Sequence, residues 1–210
     1  MKKIVRLTET DLVRLVKRVI KEENIKDKKN VLFIGDSFSS TPGITWNYRL
    51  AARHPEWDVT HIAGMGRKTD WMLENLKSEL KNKKYDLVFI WGGINDIFSE
   101  QDINKPLNNL SAMAIITIGM NATPIIFSGY DIASVMTDDK LKPTPSCDKS
   151  CMLKSKDNMI KFQNILERNF KIPGGKVINR TYDSRIKAND GIHIGSDGHS
   201  AIAEYIDSKF

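Results

Sequence analysis

Five short apolar runs, each ended by glycine or a polar turn, constrain this chain more than any other feature. They are VLFIG (31–35), DVTHIAG (58–64), DLVFIWGG (86–93), TPIIFSG (123–129) and KVINR (176–180). Each has the length of a strand, and most are rich in β-branched and aromatic residues. Segments with helical periodicity lie between them, at 44–54, 70–82, about 104–120, 156–170 and 196–210. Continuous apolar strands alternating with helices are the pattern of a parallel sheet buried on both faces. The expected fold is α/β, three-layered α/β/α, with a five-stranded parallel sheet in the flavodoxin-like order 2-1-3-4-5.

A leader precedes this body. TETDLVRLVKRVIKEE (8–23) reads as an amphipathic helix, with Thr8 and Asp11 in the spacing of a capping box and Leu12, Leu15, Val16, Val19 and Ile20 at helical intervals. NIKDKKN then reads as a polar link, so the chain divides into a leader (1–29) and a body (30–210). Residues 1–30 hold ten Lys/Arg and five Asp/Glu, which is five of the net charge of +6. The body is therefore close to neutral and offers no basic stripe for nucleic acid. The leader is expected either to pack on the flank of the body or to dock a partner or a larger particle. It is similar to short LTE-x-DL-x-R-x-V leaders on phage-type proteins.

Lys2 and Lys3 are followed by Arg6, Glu9 and Asp11, unlike the apolar stretch of a secretory signal. No apolar run reaches the about 20 residues of a membrane helix. Together these point to a cytoplasmic or particle-associated protein. Cys147 and Cys151, in PSCDKSC, suit either a short-loop disulfide or two reduced thiols. They have no neighbouring ligands for zinc.

Sites in open α/β sheets lie outside the carboxyl ends of the strands. The unusual residues sit at those ends: Gly35-Asp36-Ser37, Gly64-Met65-Gly66, Gly92-Gly93-Ile94-Asn95-Asp96, and Asp190-Gly191-Ile192-His193. Ser37 ends an apolar run and needs a base to become a nucleophile. DGIH supplies one in His193, with Asp190 three residues earlier to orient it. The order Ser, Asp, His without a G-x-S-x-G elbow is not that of the usual α/β-hydrolases. Acyl transfer also needs donors for an oxyanion. The Ser37 backbone N–H, a glycine N–H from AGMG and the Asn95 side-chain amide are the candidates. Asp36 and Asp96 read as acids that brace their loops.

GDS, a glycine block, GGIND and DGIH, in this order, resemble the four blocks of the SGNH, or GDSL-type, hydrolases over residues 31–210. The resemblance implies a serine ester or thioester hydrolase with no metal and no cofactor. By it, Ser37 is the nucleophile, His193 the base and Asp190 its partner, and the Ser37 amide, Gly66 and Asn95 form the oxyanion hole. Gly64 also fits the glycine block, but GRKT after Gly66 is closer to the family pattern. Phe38 stands where many members have leucine.

The substrate expected is a short acyl ester, such as acetyl on a carbohydrate. The alternatives are a lysophospholipid or thioester, or a glycan merely bound by a non-catalytic module carried on a phage particle. Trp46, close after the nucleophile turn, is a candidate for the pocket wall. Trp71 and Trp91, and His54, His61 and His199, read as structural. The polar stretch 131–155, with two prolines, reads as a long loop on the rim of the site.

Overall fold

A computed structural model describes residues 8–26, 28–137, 148–188 and 190–210, with the backbone alone over 19–26. Five strands form one sheet: β1 (Lys29–Gly35), β2 (Trp57–Ala63), β3 (Leu87–Trp91), β4 (Thr123–Phe127) and β5 (Lys176–Ile178). Their order is β2-β1-β3-β4-β5 and every pairing is parallel, as the sequence predicts. The helices are α1 (Glu9–Lys26), α2 (Trp46–Ala51), α3 (Thr69–Asn82), α4 (Ile94–Glu100), α5 (Asn104–Gly119), α6 (Ile132–Val135), α7 (Lys149–Arg168) and α8 (Ser196–Asp207). They cover both faces of the sheet, with α2 packed on α8 and α3 on α5.

The core follows from the apolar runs. Phe33 and Phe89, paired across β1 and β3, stack with ring centroids 4.8 Å apart. Trp46 meets Phe33 edge-on at 5.5 Å, and Trp57 and Phe210 close on the same cluster. Phe33, Phe89, Trp46 and Trp57 are buried, and each contributes on the order of 2–3 kcal/mol over leaving it exposed, while Phe210 covers the rim. Register matters more for the site. Gly35 pairs with Ala63 on one side and Trp91 on the other, so three strands end level. The Phe127–Ile178 pair lies at the end of the last two strands. Everything just beyond these residues emerges on one edge.

Several boundaries differ from expectation. The third strand stops at Trp91, because Gly93 turns into the left-handed region at φ 113° and caps a short helix, α4, that the sequence reading left as a loop. The second helix is confined to Trp46–Ala51, since residues 41–45 form the turn that carries its cap, Thr45. The seventh starts at Lys149 rather than near 156, because the Asp148 carboxylate accepts the Cys151 N–H at 2.8 Å and caps it. The 131–155 stretch is thus shortened at both ends by helix. Residues 138–147, including Cys147, lie outside the described residues. Cys151 is disulfide-bonded.

The leader helix forms with its expected cap: Asp11 N–H donates to Thr8 Oγ1 at 3.2 Å, and Thr8 N–H to Asp11 Oδ2 at 3.1 Å. Its described apolar side chains are not buried on the body. Leu12, Val13, Leu15 and Val16 are all about half exposed.

Below the end of β1, Asp36 is wholly buried. Its Oδ1 accepts the Phe38 N–H at 3.1 Å, while Oδ2 has no hydrogen-bond partner among the described residues. Burial pushes this carboxyl up to about 7, the Phe38 and Asp36 amides pull the other way, and the Asp96 charge adds to the rise. The folded chain therefore keeps a proton that the unfolded chain releases above pH 3.8. Stability from this group is full below that pH, is lost as pH rises to about 7, and is level beyond. Urea midpoints of wild type and Asp36→Asn should diverge across this window and run parallel above it. A constant offset at all pH values would contradict a raised Asp36.

Candidate active site

The turn that carries Ser37 is built on close approach. A Cβ on Gly35 would lie 2.6 Å from Ser39 Oγ and 3.0 Å from the Trp91 carbonyl, so only glycine fits where β1 ends. The chain then enters a 3₁₀ turn at Ser37–Ser39, capped by Asp36. The turn is held from behind. Trp46 Nε1 donates to Ser39 Oγ at 3.0 Å, and Asn47 Nδ2 to the Ser39 carbonyl at 3.0 Å. Ser37 is 9% exposed.

His193 reaches Ser37 from the other end of the chain. Its Nε2 lies 3.1 Å from Ser37 Oγ, and its Nδ1 lies 2.7 Å from Asp190 Oδ2. Asp190 Oδ1 accepts the N–H groups of Ile192 at 2.9 Å and His193 at 2.7 Å, which fixes the turn around Gly191 at φ 85°. Partial burial raises the Asp190 carboxyl. Its bonds to the His193 ring and the two amides outweigh this and leave it below the usual carboxylate range. The Asp190 and His193 side chains are 56% and 48% exposed, so the relay is open to solvent on its outer side. The inner side of the His193 ring rests on Phe38, with centroids 5.5 Å apart.

The histidine loop is anchored by residues the sequence reading did not select. The buried Tyr130 hydroxyl donates to the Ile192 carbonyl, next to His193. Tyr130 is in turn fixed by α7, where Gln163 Nε2 donates to the carbonyls of Ser128 at 2.9 Å and Tyr130 at 2.7 Å. Glu167, one turn further along, accepts from Ser128 Oγ at 2.9 Å and from the Arg180 backbone and guanidinium. The bonds made by Tyr130, Gln163 and Ser128 span more than thirty residues of sequence, and no local pattern marks them. The tyrosine in FSGY at the end of β4 was the one available cue.

The third wall carries the amide and glycine candidates. Asn95 is the second residue of α4, entered through Gly93, where a Cβ would lie 2.8 Å from the Phe162 ring. Asn95 Nδ2 donates to the Arg67 carbonyl at 3.0 Å. That bond uses one of the two amide hydrogens and leaves the other for a ligand. Asp96 accepts from Thr69 N–H at 3.0 Å and Thr69 Oγ1 at 2.7 Å, tying α4 to the start of α3 just after the glycine turn. Gly66 is exposed, adopts φ 66° and has open space where a Cβ would project. At Gly64 a Cβ would press on the Arg67 side chain at 2.9 Å, and Arg67 itself lies over the Trp71 ring.

Ser37, Asp190 and His193 thus come together, and Gly66 and Asn95 share one wall through Arg67. Trp46 does not form a pocket wall: it is 1% exposed and belongs to the core behind the Ser37 turn. Two of the other histidines have structural partners, and the third is buried with its Nδ1 unpartnered among the described residues. His61 stacks between Phe33 and Tyr48 and accepts from Asn47, and burial lowers it to about 4. His54 bridges Glu56 and Asp207. His199 is buried in α8, and burial lowers it to about 4.

Three solved structures illustrate what the fold is similar to. A lipolytic protein of the G-D-S-L family from Veillonella parvula superposes with a TM-score of 0.62 at 18% identity, over 87% of this chain and 98% of its own. The psychrotrophic esterase EstA from Pseudoalteromonas sp. gives 0.57 at 15%, over 86% and 95%. A Clostridium thermocellum family 3 carbohydrate esterase gives 0.59 at 17%, over 86% and 94%. No curated protein matches in sequence. The model of the GDSL-like lipase/acylhydrolase family matches residues 31–206, which is nearly all of the body outside the leader. With its sheet order, its level strand ends and its Ser, Asn and Asp-x-x-His segments on one edge, the chain belongs to the GDSL-like lipase/acylhydrolase family.

Proposed function

We propose that the protein is a serine ester hydrolase whose nucleophile is Ser37. The observation that carries this reading is the continuous relay from Ser37 Oγ to His193 Nε2 at 3.1 Å and from His193 Nδ1 to Asp190 at 2.7 Å. His193 Nε2 takes the hydroxyl proton as Oγ attacks the acyl carbonyl carbon. The carbonyl electron pair moves to oxygen, where the Ser37 and Gly66 N–H groups and the Asn95 amide receive it. Collapse of that intermediate expels the alkoxide, which takes the proton from Nε2. Water repeats the sequence and releases the acid. Asp190 keeps Nδ1 protonated and stabilises the imidazolium without becoming protonated itself.

The acyl group is short, such as acetyl, and the alcohol is a carbohydrate. Support comes from the shape of the relay. Ser37 is only 9% exposed, which suits a small acyl group, whereas the half-exposed His193 and Asp190 leave room for a bulky hydrated alcohol. The carbohydrate esterase among the structural relatives is consistent with this, at 17% identity. In this reading residues 30–210 are the catalytic unit and the leader takes no part in the chemistry.

Treatment with a fluorophosphonate should add one mass adduct to wild type and none to Ser37→Ala or His193→Ala. Turnover of either variant should fall by roughly 10⁴- to 10⁶-fold. An unreactive, folded wild type that binds glycans would instead mark a binding module. Acetyl esters should be cleaved faster than decanoyl esters, and the opposite order would favour a lipid substrate. Asn95→Ala should cost roughly 100- to 1000-fold in kcat, measured with an acetyl ester. Tyr130→Phe removes a single neutral hydrogen bond behind His193 and should lower kcat by roughly 2- to 10-fold with little change in KM.

A further inference from the structure

The leader helix has properties that the hydrolase chemistry does not use. The ten residues Leu12 to Lys21 are LVRLVKRVIK, six aliphatic and four basic, with no acid among them. On a helix turning about 100° per residue, the six aliphatic positions fall within an arc of about 160° and the four basic ones lie opposite. Backbone helix runs through the whole segment, from Glu9 to Lys26. Leu12, Val13, Leu15 and Val16 are 55%, 46%, 51% and 50% exposed, so the body leaves these four side chains open. The start of the helix is fixed within the leader itself, by the Thr8–Asp11 capping box.

We infer that α1 is an interfacial anchor that lays this aliphatic face into an anionic lipid surface and holds the near-neutral hydrolase body beside it. Charge complementarity points to an anionic surface, since residues 1–30 carry five of the chain's net +6 charges. The chemistry of the face favours lipid over a protein groove. Its aliphatic residues include no Trp, Tyr, Phe or Met, the side chains that usually key a helix into a shaped pocket. A second copy of the helix fits less well. The aliphatic arc is wider than the seam of a two-stranded coil, and pairing would bring the basic residues of two helices together. A lipid surface needs neither a narrow seam nor shape complementarity, only apolar area and opposite charge.

The test uses the full chain and vesicles of phosphatidylcholine alone or with about one third phosphatidylglycerol. The protein should co-sediment with the anionic vesicles at least tenfold more than with the neutral ones. Raising salt from 0.1 to 0.5 M should release most of it, as the screening length falls below 10 Å. The double variant Leu15→Glu/Val16→Glu should lose binding. Arg14→Gln/Lys17→Gln, which keeps the aliphatic face, should bind anionic vesicles about tenfold more weakly and neutral ones as before. All four tryptophans lie in the body, at 46, 57, 71 and 91, so their fluorescence melt should be unchanged in both variants. This readout does not depend on catalysis. Failure of wild type to bind anionic vesicles, or equal binding to neutral ones, would overturn the inference. So would a dimer in solution that Leu15→Glu/Val16→Glu abolishes without any vesicle binding.

Discussion

Parallel pairing of β1 between β2 and β3 is the constraint on which the rest depends. Because Gly35, Ala63 and Trp91 pair in one register, three strands end at the same height. The next few residues of each must leave the sheet on the same edge. Ser37, the Gly64–Gly66 turn and the Asn95 segment therefore meet, although more than fifty residues separate the first from the last. A slip of the register by one residue would turn Phe33 and Phe89 away from the aromatic cluster. The same aromatic burial that stabilises the sheet therefore also fixes the positions of the site's segments.

On that edge, two kinds of support hold the reactive groups. Behind Ser37 the support is steric: Gly35 allows Ser39 and the Trp91 carbonyl to approach, and the Trp46 indole holds Ser39. Behind His193 it is polar, running through Tyr130 to Gln163 and, by Ser128, to Glu167 and Arg180. Arg180 is 7% exposed and its guanidinium meets both Glu167 oxygens. Such a buried pair specifies geometry more than it stabilises, since desolvation offsets much of its Coulomb energy. Here the geometry it specifies is the path of the chain from β4 and β5 to the histidine loop.

Electrostatics divides the site into two environments. Asp36 and Asp96 are buried acids beneath the loops, and both are raised by loss of solvent. Asp190 is half exposed and lowered by its bonds to His193 and two amides. The acid beside the relay is thus favoured in its ionised form, while burial favours the protonated form of the two acids beneath the loops. Two carboxylates close in sequence to reactive residues have different roles because solvent reaches them differently.

Local sequence was enough for much of this. Strand existence, order and direction follow from the apolar runs and the helices between them. DGIH places a carboxylate and an imidazole three residues apart, so their pairing is a local matter. The capping box of α1 is local as well. Element ends were less legible, because α4 and the early start of α7 depend on a left-handed glycine and a capping aspartate, each a single residue. What the tertiary structure decided is non-local. Trp46 went to the core rather than the pocket because Phe33, Phe89 and Trp91 pack around it. Tyr130 became the anchor of the histidine loop because β4 ends opposite residue 192. Whether Leu12, Val13, Leu15 and Val16 of α1 pack on the body was also decided there, and all four stayed about half exposed. Short-range patterns encode the periodicities and turns that one or two helical turns can enforce. Contacts between segments tens of residues apart depend on sheet register and side-chain volume, which no local window contains.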